Sequence, residues 1–248
     1  MKHSAQLFVF LFIAFPIFMS CMSCNFSGGT PVYGNHQLVN QRINIDDYEK
    51  IILNVPAEVF YQQFSDSAPY LQIHTDENIF DALNVRVENN QLIIDAKKGY
   101  SLKPSLFTIY TCSHNLNQVA VTGPGNICLK GEVNAEDFKL EIAGTGNLRT
   151  DSLLCDKITA SITGTGSAEL TGASNYASFT VTGTGDIRAF NYFVQELKCE
   201  IVGTGNIEAW VAGKLNANIV GTGDLSYRGN PPSVNKNIVG TGKMKSVD

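Results

Sequence analysis

The chain has 248 residues, a formal net charge of −5, 22 glycines and only 17% charged residues. This length allows one or two domains with a sizeable core, and the 44% hydrophobic content is too high for a disordered chain. The acidic balance argues against nucleic acid and anionic membrane surfaces as partners, because both attract basic proteins.

The N-terminal segment has the pattern of an export signal. Lys2 precedes an unbroken apolar run over 7–19, which is the length of a signal-peptide core and too short to span a bilayer. The run ends in Phe18-Met19-Ser20-Cys21, which resembles the lipobox of bacterial lipoproteins. We predict a lipoprotein-type signal peptide over 1–20 and lipidation at Cys21; the alternatives are an ordinary cleavable signal and lipidation at Cys24.

Two segments of different composition follow the signal. Residues 21–39 are predicted to be a flexible tether, because Ser, Gly, Thr, Pro and Asn prevail and the apolar residues show no period. Residues 40–120 contain strand-like runs separated by turn residues such as Asp46-Asp47 and Asn89-Asn90. We expect them to form an irregular β part that covers the N-terminal end of the structure that follows.

An internal repeat occupies the rest of the chain. A Gly-x-Gly tripeptide recurs at steps of 18 to 21 residues, and six of its seven copies read Gly-Thr-Gly. The copies begin at Gly123, Gly144, Gly164, Gly183, Gly203, Gly221 and Gly240. A fixed period of this length is typical of solenoids, in which each repeat forms one coil.

The residues around each tripeptide alternate in polarity. The position two before the first glycine is always Val or Ile, and the position four after it is always apolar. The position three after it is always polar, with Asn, Asp, Ser or Lys, and the middle residue of the tripeptide is Thr in six copies. In an extended chain, even and odd positions lie on opposite sides. The pattern predicts an all-β, right-handed parallel β-helix (β-solenoid) with about seven regular coils over 121–248, within one domain at 40–248. An antiparallel sandwich is disfavoured, because it needs turns every 8 to 12 residues.

Both glycines of the tripeptide fall on the inward side of the coil. The backbone there is expected either to approach the opposite wall of the coil closely or to bend through a conformation that glycine tolerates best.

The coils with Gly-Thr-Gly-Asn and Gly-Thr-Gly-Asp, the strand 91–94 after 85–90, and the lipoprotein-like start resemble the head GIN domain family of Bacteroidetes, named for auto-transporter adhesin heads. The resemblance covers about 40–248, and Pro124 departs from the repeated Thr. It implies a right-handed β-helix, an adhesin-like function and an outer-membrane location in the cell envelope, without catalytic residues. Residues 22–29 contain no acid, so both a surface-exposed and a periplasm-facing position stay open.

No pattern of catalytic or metal-binding residues stands out. The four histidines are scattered, and the Gly-x-Gly copies lack the third glycine and the helix of a nucleotide-binding loop. One outward cluster could serve a carbohydrate-active β-helix enzyme, and its alternative is a solvated face with cross-strand ion pairs. The cluster comprises Asp186, Arg188, Glu208, Asp224 and Arg228. We predict no enzyme, no cofactor and no metal.

The remaining cysteines are Cys112, Cys128, Cys155 and Cys199. No two of them occupy the same position of the repeat, so the pattern does not imply a disulfide between neighbouring coils, and their pairing stays open. Cys199 falls in the inward column, where a small core residue fits.

A flat polar strip on the outside of the coils is the candidate ligand face. Its members repeat at the strand spacing, so they could match an extended glycan or an envelope or host protein, although Thr and Asn also form such ladders for structural reasons alone. The candidate residues are Thr184, Asp186, Thr204, Asn206, Thr222 and Asp224.

The predicted function is a non-catalytic, lipid-anchored, adhesin-like envelope protein; the alternatives are a periplasmic structural or accessory protein and, more remotely, a carbohydrate-active enzyme.

Overall fold

The computed structural model describes residues 29–247, of which nearly all belong to one β-solenoid of about six turns. Seven tripeptides bracket six intervals, which accounts for the difference from the predicted seven coils. The predicted signal peptide, Cys21 and the tether as far as residue 28 lie outside the described residues. The elements are β1 (Thr30–Tyr33), β2 (Leu38–Asn44), β3 (Lys50–Leu53), β4 (Glu58–Gln63), β5 (Tyr70–Asp76), α1 (Glu77–Asp81), β6 (Leu83–Glu88), β7 (Gln91–Ala96), β8 (Tyr100–Lys103), β9 (Phe107–Ser113), β10 (Gln118–Gly123), β11 (Asn126–Gly144), β12 (Asn147–Gly164), β13 (Ser167–Gly183), β14 (Asp186–Gly203), β15 (Asn206–Gly221), β16 (Leu225–Arg228), β17 (Ser233–Gly240) and β18 (Met244–Ser246).

The five long strands β11–β15 each wrap almost one full turn and pair in parallel with the next. Equivalent residues lie in register, so that Ile142 pairs with Ile162 and Ile162 with Val181. These three side chains are buried, as the alternating pattern predicts. The predicted parallel solenoid and its inward column are therefore confirmed.

Repeats of unequal length share this register because the chain shifts at its corners. Register irregularities fall between Leu129 and Glu132 in β11 and between Ala189 and Phe193 in β14. Pairing is restored after each of them, so bulges absorb the extra or missing residues before the next tripeptide.

The two glycines of the tripeptide have different tasks. Gly183 has a φ of 117°, which is the left-handed region where a side chain is strained. At Gly205, a Cβ atom would lie 2.1 Å from the carbonyl oxygen of Gly185 and 2.6 Å from Cγ1 of Val181. The expected bend is present at the first glycine, whereas the second glycine lies close to the preceding coil and not, as expected, to the opposite wall.

The N-terminal part contains two further parallel layers without the tripeptide. Strands β3 and β4 pair in parallel with β10 and β11, and Leu53 aligns with Val121 while Glu58 aligns with Asn126. Val55-Pro56-Ala57 therefore takes the place of a Gly-x-Gly. Strands β7 and β9 form the next layer outward, although they follow β3 and β4 in the chain.

Antiparallel strands close this end of the stack. Strand β2 pairs with β5, β5 with β9, and β6 with β7. The expectation that the N-terminal part covers the stack is confirmed in this respect. We call the strands β1, β2, β5, β6 and β8 with helix α1 the N-terminal cap.

One boundary of the predicted tether needs correction. Thr30–Tyr33 forms strand β1 and pairs in parallel with Tyr100–Lys103, so at least these residues belong to the folded body. The backbone N–H of Thr30 donates to the Gly99 oxygen over 2.8 Å. Pairing of this kind uses main-chain groups only, which is why apolar periodicity did not reveal it. In residues 29–247, no helix has the length and apolar character needed to cross a bilayer.

Candidate ligand-binding face

The threonines of the tripeptides lie on the outside of the coils. Thr184, Thr204 and Thr222 are exposed, and the backbone N–H groups of Thr204 and Thr222 donate to the oxygens of Gly183 and Gly203 over 2.9 Å each. Their hydroxyl groups make no hydrogen bond to any residue in 29–247. The main chain of this column supports the stack, while its hydroxyls are exposed and unbonded within these residues.

The Asn/Asp column beside the threonines is a hydrogen-bonded ladder. Asn206 donates to Oδ1 of Asp186 from its backbone nitrogen and from Nδ2, both over 3.1 Å. Oδ1 of Asn206 accepts from the backbone nitrogen of Asp224 over 3.1 Å, and Oδ1 of Asp224 accepts from that of Lys243 over 2.8 Å. These side chains stabilise the stacking of the coils, as expected for a ladder with a structural role.

The ladder is interrupted once. Ser167 donates from its hydroxyl to Oδ1 of Asn147 over 2.7 Å, whereas the next N–H along the column, that of Asp186, bonds to the backbone oxygen of Gly166 over 3.3 Å. Serine is too short to continue the ladder in the same way. The predicted residues Asp186, Asn206 and Asp224 thus form one uninterrupted run, which we call the polar strip together with Thr184, Thr204 and Thr222.

The outward cluster suggested for a carbohydrate-active enzyme lies on the same face as the polar strip. Nη2 of Arg188 contacts Oδ2 of Asp186 over 3.1 Å, and Glu208 pairs in register with Arg188. The carboxylates of Asp186 and Asp224 are already engaged by Asn206 and Lys243. The ion pair of this cluster joins two residues of the same strand, and within the described residues the cluster contains no ion pair between strands.

An aromatic cluster beside the polar strip was missed by the sequence analysis. The rings of Phe193 and Trp210 meet edge to face at 5.2 Å, and the guanidinium of Arg228 lies 4.6 Å from the centroid of Trp210. Phe190 lies under the same guanidinium at 5.8 Å. A signal was available: Phe190, Trp210 and Arg228 stand seven residues after the first glycine, at the outward parity where coils otherwise carry polar residues.

Two of the cysteines, Cys155 and Cys199, have thiols that burial makes less acidic. All four within the described residues are free, and burial raises the pKa of Cys199, which lies in the core as predicted. Burial likewise raises the pKa of Cys155, whose sulfur contacts the hydroxyl of Tyr192 over 3.3 Å. Reactive cysteines have lowered pKa values, so neither residue has the character of a nucleophile. Within 29–247, His, Cys, Asp and Glu side chains form no group of three that could hold a metal ion.

The fold and its outer face define a β-solenoid with an exposed, regularly spaced polar surface. Residues 47–231 match the family described as "Putative auto-transporter adhesin, head GIN domain". The chain belongs to this family, as the Gly-Thr-Gly coils predict. Membership in an adhesin-like family indicates a cell-envelope or surface protein.

Solved structures agree with this assignment. A protein of Parabacteroides distasonis described as a putative lipid binding protein is 31% identical, with a TM-score of 0.77 over 88% of this chain and all of the other. A putative adhesin of Parabacteroides merdae is 27% identical, with a TM-score of 0.70 over 89% of this chain and all of the other. A putative adhesin of Bacteroides fragilis shares the fold at 24% identity, with a TM-score of 0.82 over 87% of this chain and all of the other. No curated protein matches the chain.

Proposed function

We propose that the chain is a non-catalytic, lipid-anchored envelope protein that uses the polar strip to attach to an extended ligand. The observation that carries this proposal is the column of exposed threonine hydroxyls at Thr184, Thr204 and Thr222, which have no partner in 29–247. Beside them, the hydrogen-bonded Asn/Asp ladder keeps the surface flat and its spacing regular. Fixed hydroxyls at strand spacing fit a repeating polymer or an added strand.

The proposed site of the lipid anchor is Cys21. It follows Ser20 at the end of an apolar run of signal-peptide length, and strand β1 starts nine residues after it. A single acyl chain binds a membrane marginally, whereas two or more chains give stable attachment. The membrane is therefore a proposed partner through the lipid, at the outer membrane of the cell envelope.

Replacing Cys21 tests the anchor. In Cys21→Ala, the protein should move from the membrane fraction to the soluble fraction, while Cys24→Ala should leave it in the membrane. Membrane retention of the Cys21→Ala chain would refute lipidation at this residue.

Replacing two threonines tests the ligand face. Thr184→Lys combined with Thr204→Lys should leave the melting temperature nearly unchanged, because both side chains are exposed and unbonded, but should abolish attachment to immobilised polysaccharides and glycoproteins. The matched control is Thr145→Lys with Thr165→Lys, which makes the same change outside the uninterrupted run. Attachment that survives in the first variant, or is lost equally in both, would contradict a role of the polar strip.

A periplasm-facing accessory protein is the second candidate, because residues 22–29 carry no acidic residue after the lipidated cysteine. Digestion of intact cells with an added protease separates the two candidates. Cleavage without cell lysis supports a surface-exposed adhesin, and cleavage only after lysis supports the periplasmic position.

Lipid binding, as described for the Parabacteroides distasonis relative, has less support in this chain. Buried side chains from Tyr48 to Leu225 form one continuous core cluster within the coils. The interior of the coils is therefore occupied by the protein itself, and a lipid would have to bind on the outer surface.

A further inference from the structure

The aromatic cluster lies beside the polar strip, since Trp210 follows Asn206 by four residues on strand β15, and it has the composition of a binding site. Trp210, the only tryptophan of the chain, is 36% exposed. Its ring is fixed on one side by the edge-to-face contact with Phe193 and covered in part by the guanidinium of Arg228. Large rings are normally placed in the core, so an exposed and immobilised indole offers an apolar platform to a ligand.

The backbone of β14 builds this cluster. The register between β14 and β15 shifts between Ala189 and Phe193, and pairing resumes with Phe193 opposite Trp210. Trp210 in turn pairs with Arg228 of β16. The bulge thus brings two phenylalanines of one coil and the indole and guanidinium of the next two coils to one corner.

Arg228 has no carboxylate partner among residues 29–247. It forms no ion pair within the described part of the chain, and its Nε is buried there without a hydrogen bond. The other ring pair on this face, Phe60 with Tyr110, differs in this respect, because its neighbouring cation Lys130 is 3.6 Å from Asp151. Of the two clusters, the one at Trp210 retains unused donors on its guanidinium.

Donors and acceptors of both kinds surround the indole. Glu208 precedes Trp210 by two residues on the same side of the strand, Ser226 pairs in register with Glu208, and Asn206 and Asp224 of the polar strip follow on that side. A polyanion would meet the carboxylates of Glu208 and Asp224 as well as Arg228. A neutral polyol can donate to the carboxylates and accept from the guanidinium, so it satisfies every group.

We infer that this corner binds a pyranose ring of a neutral glycan. The apolar face of the sugar lies against Trp210, and its hydroxyls bond to Arg228 and Glu208. The inference rests on the proposed adhesive function and deepens it, since it names the ligand class and its principal contact residue. The polar strip would then hold the following units of the same polymer.

The single tryptophan makes a direct test available. The full chain, purified in mild detergent, is titrated with dextran, mannan, galactan and polygalacturonate while the emission of Trp210 is followed. At least one of the three neutral glycans should give a saturable change that added salt does not weaken, because screening acts on charge–charge attraction and little on stacking. If none of the neutral glycans changes the emission, or if only polygalacturonate does so and salt abolishes the effect, the inference is wrong.

Variants assign the effect to the corner. Trp210→Ala and Arg228→Gln should each weaken binding of the same glycan about tenfold or more, measured by calorimetry, as expected for the central contacts of a site. The control is Tyr100→Ala, which removes a 46% exposed ring from the N-terminal cap and should change nothing. Equal affinity in Arg228→Gln and the unchanged chain, with equal melting temperatures, would overturn the inference.

These results are separable from the test of the adhesive function. If Thr184→Lys with Thr204→Lys abolishes attachment while no glycan affects Trp210, the adhesive face stands and the saccharide site at the corner is refuted. If a glycan binds at Trp210 but the anchored chain attaches to no surface, the saccharide site stands and the adhesive function is refuted.

Discussion

The repeated coils from 126 to 221 and the N-terminal cap are stabilised in different ways. In the coils, one contact recurs from turn to turn: a buried Ile or Val stacks on its equivalent, and an Asn or Asp accepts the next backbone N–H. In the cap, single contacts occur once each, such as the carboxylate of Asp76, which accepts from His36 and Ser105. A residue's contribution to stability therefore depends on its column in the coils, and on its individual partners in the cap.

In the repeated coils, the largest loss of stability is expected where a side chain is added at the closest contact between two neighbouring coils. Gly205→Ala should lower the free energy of unfolding by about 3 kcal/mol or more, because its Cβ would lie 2.1 Å from the oxygen of Gly185. The comparison variant is Gly123→Ala, where φ is left-handed at 122°, unlike at Gly205, and no atom lies within 4 Å of the added carbon. It should cost about 1–2 kcal/mol in urea unfolding. Equal losses at both positions would show that close stacking of the coils is not the cause.

The cap should depend on Asp76 to a similar degree. Its carboxylate is fully buried and accepts hydrogen bonds from the backbone of His36 and from the backbone and hydroxyl of Ser105 over 2.6 to 2.8 Å. Asp76→Asn should cost about 2–3 kcal/mol, because an amide cannot accept all of these bonds. The exposed Asp66→Asn is the matched control and should leave thermal unfolding unchanged. A silent Asp76→Asn would mean that the cap does not contribute to global stability.

The pH dependence of this contribution has a definite sign. Burial raises the pKa of Asp76, but the hydrogen bonds from Ser105 and His36 outweigh it, and the pKa lies below the usual 3.8. The folded state therefore binds this proton less tightly than the unfolded chain does. The stabilisation is fully present above about pH 4 and is lost as the pH falls through 3.8 towards the folded pKa. The gap in melting temperature between the unchanged chain and Asp76→Asn should accordingly narrow in acid.

The smallest expected effect concerns one rung of the ladder. Asn206→Ala should cost about 1 kcal/mol, because the backbone N–H of Asp224 loses its acceptor and Oδ1 of Asp186 loses the hydrogen bond from Nδ2 of Asn206. Thr204→Ala, two residues earlier, should be nearly silent in the same melt, since its hydroxyl has no partner in 29–247. A larger loss of stability in Thr204→Ala than in Asn206→Ala would mean that the threonine column, and not the Asn/Asp column, stabilises the stack.

Much of the structure of the repeated coils could be predicted from the sequence, and much less of the structure of the N-terminal cap. Val121, Ile142 and their equivalents recur at a constant distance from a glycine, so their burial and register follow from a local pattern. By contrast, Val55-Pro56-Ala57 occupies a tripeptide position without resembling one, and only its pairing neighbours reveal it. The polar strip was located by spacing alone and keeps its role as a prediction.

The solenoid class, the family and the division into inward and outward columns follow from the sequence, because each depends on residues close together in the chain and repeated seven times. Three other features emerge only in the folded chain: β7 and β9 lie outside β3 and β4, β1 pairs with β8, and a bulge brings Phe193 to Trp210 and Arg228. These features join residues far apart in sequence and occur once each. Their placement depends on backbone pairing and corner geometry, which leave no periodic pattern in the sequence.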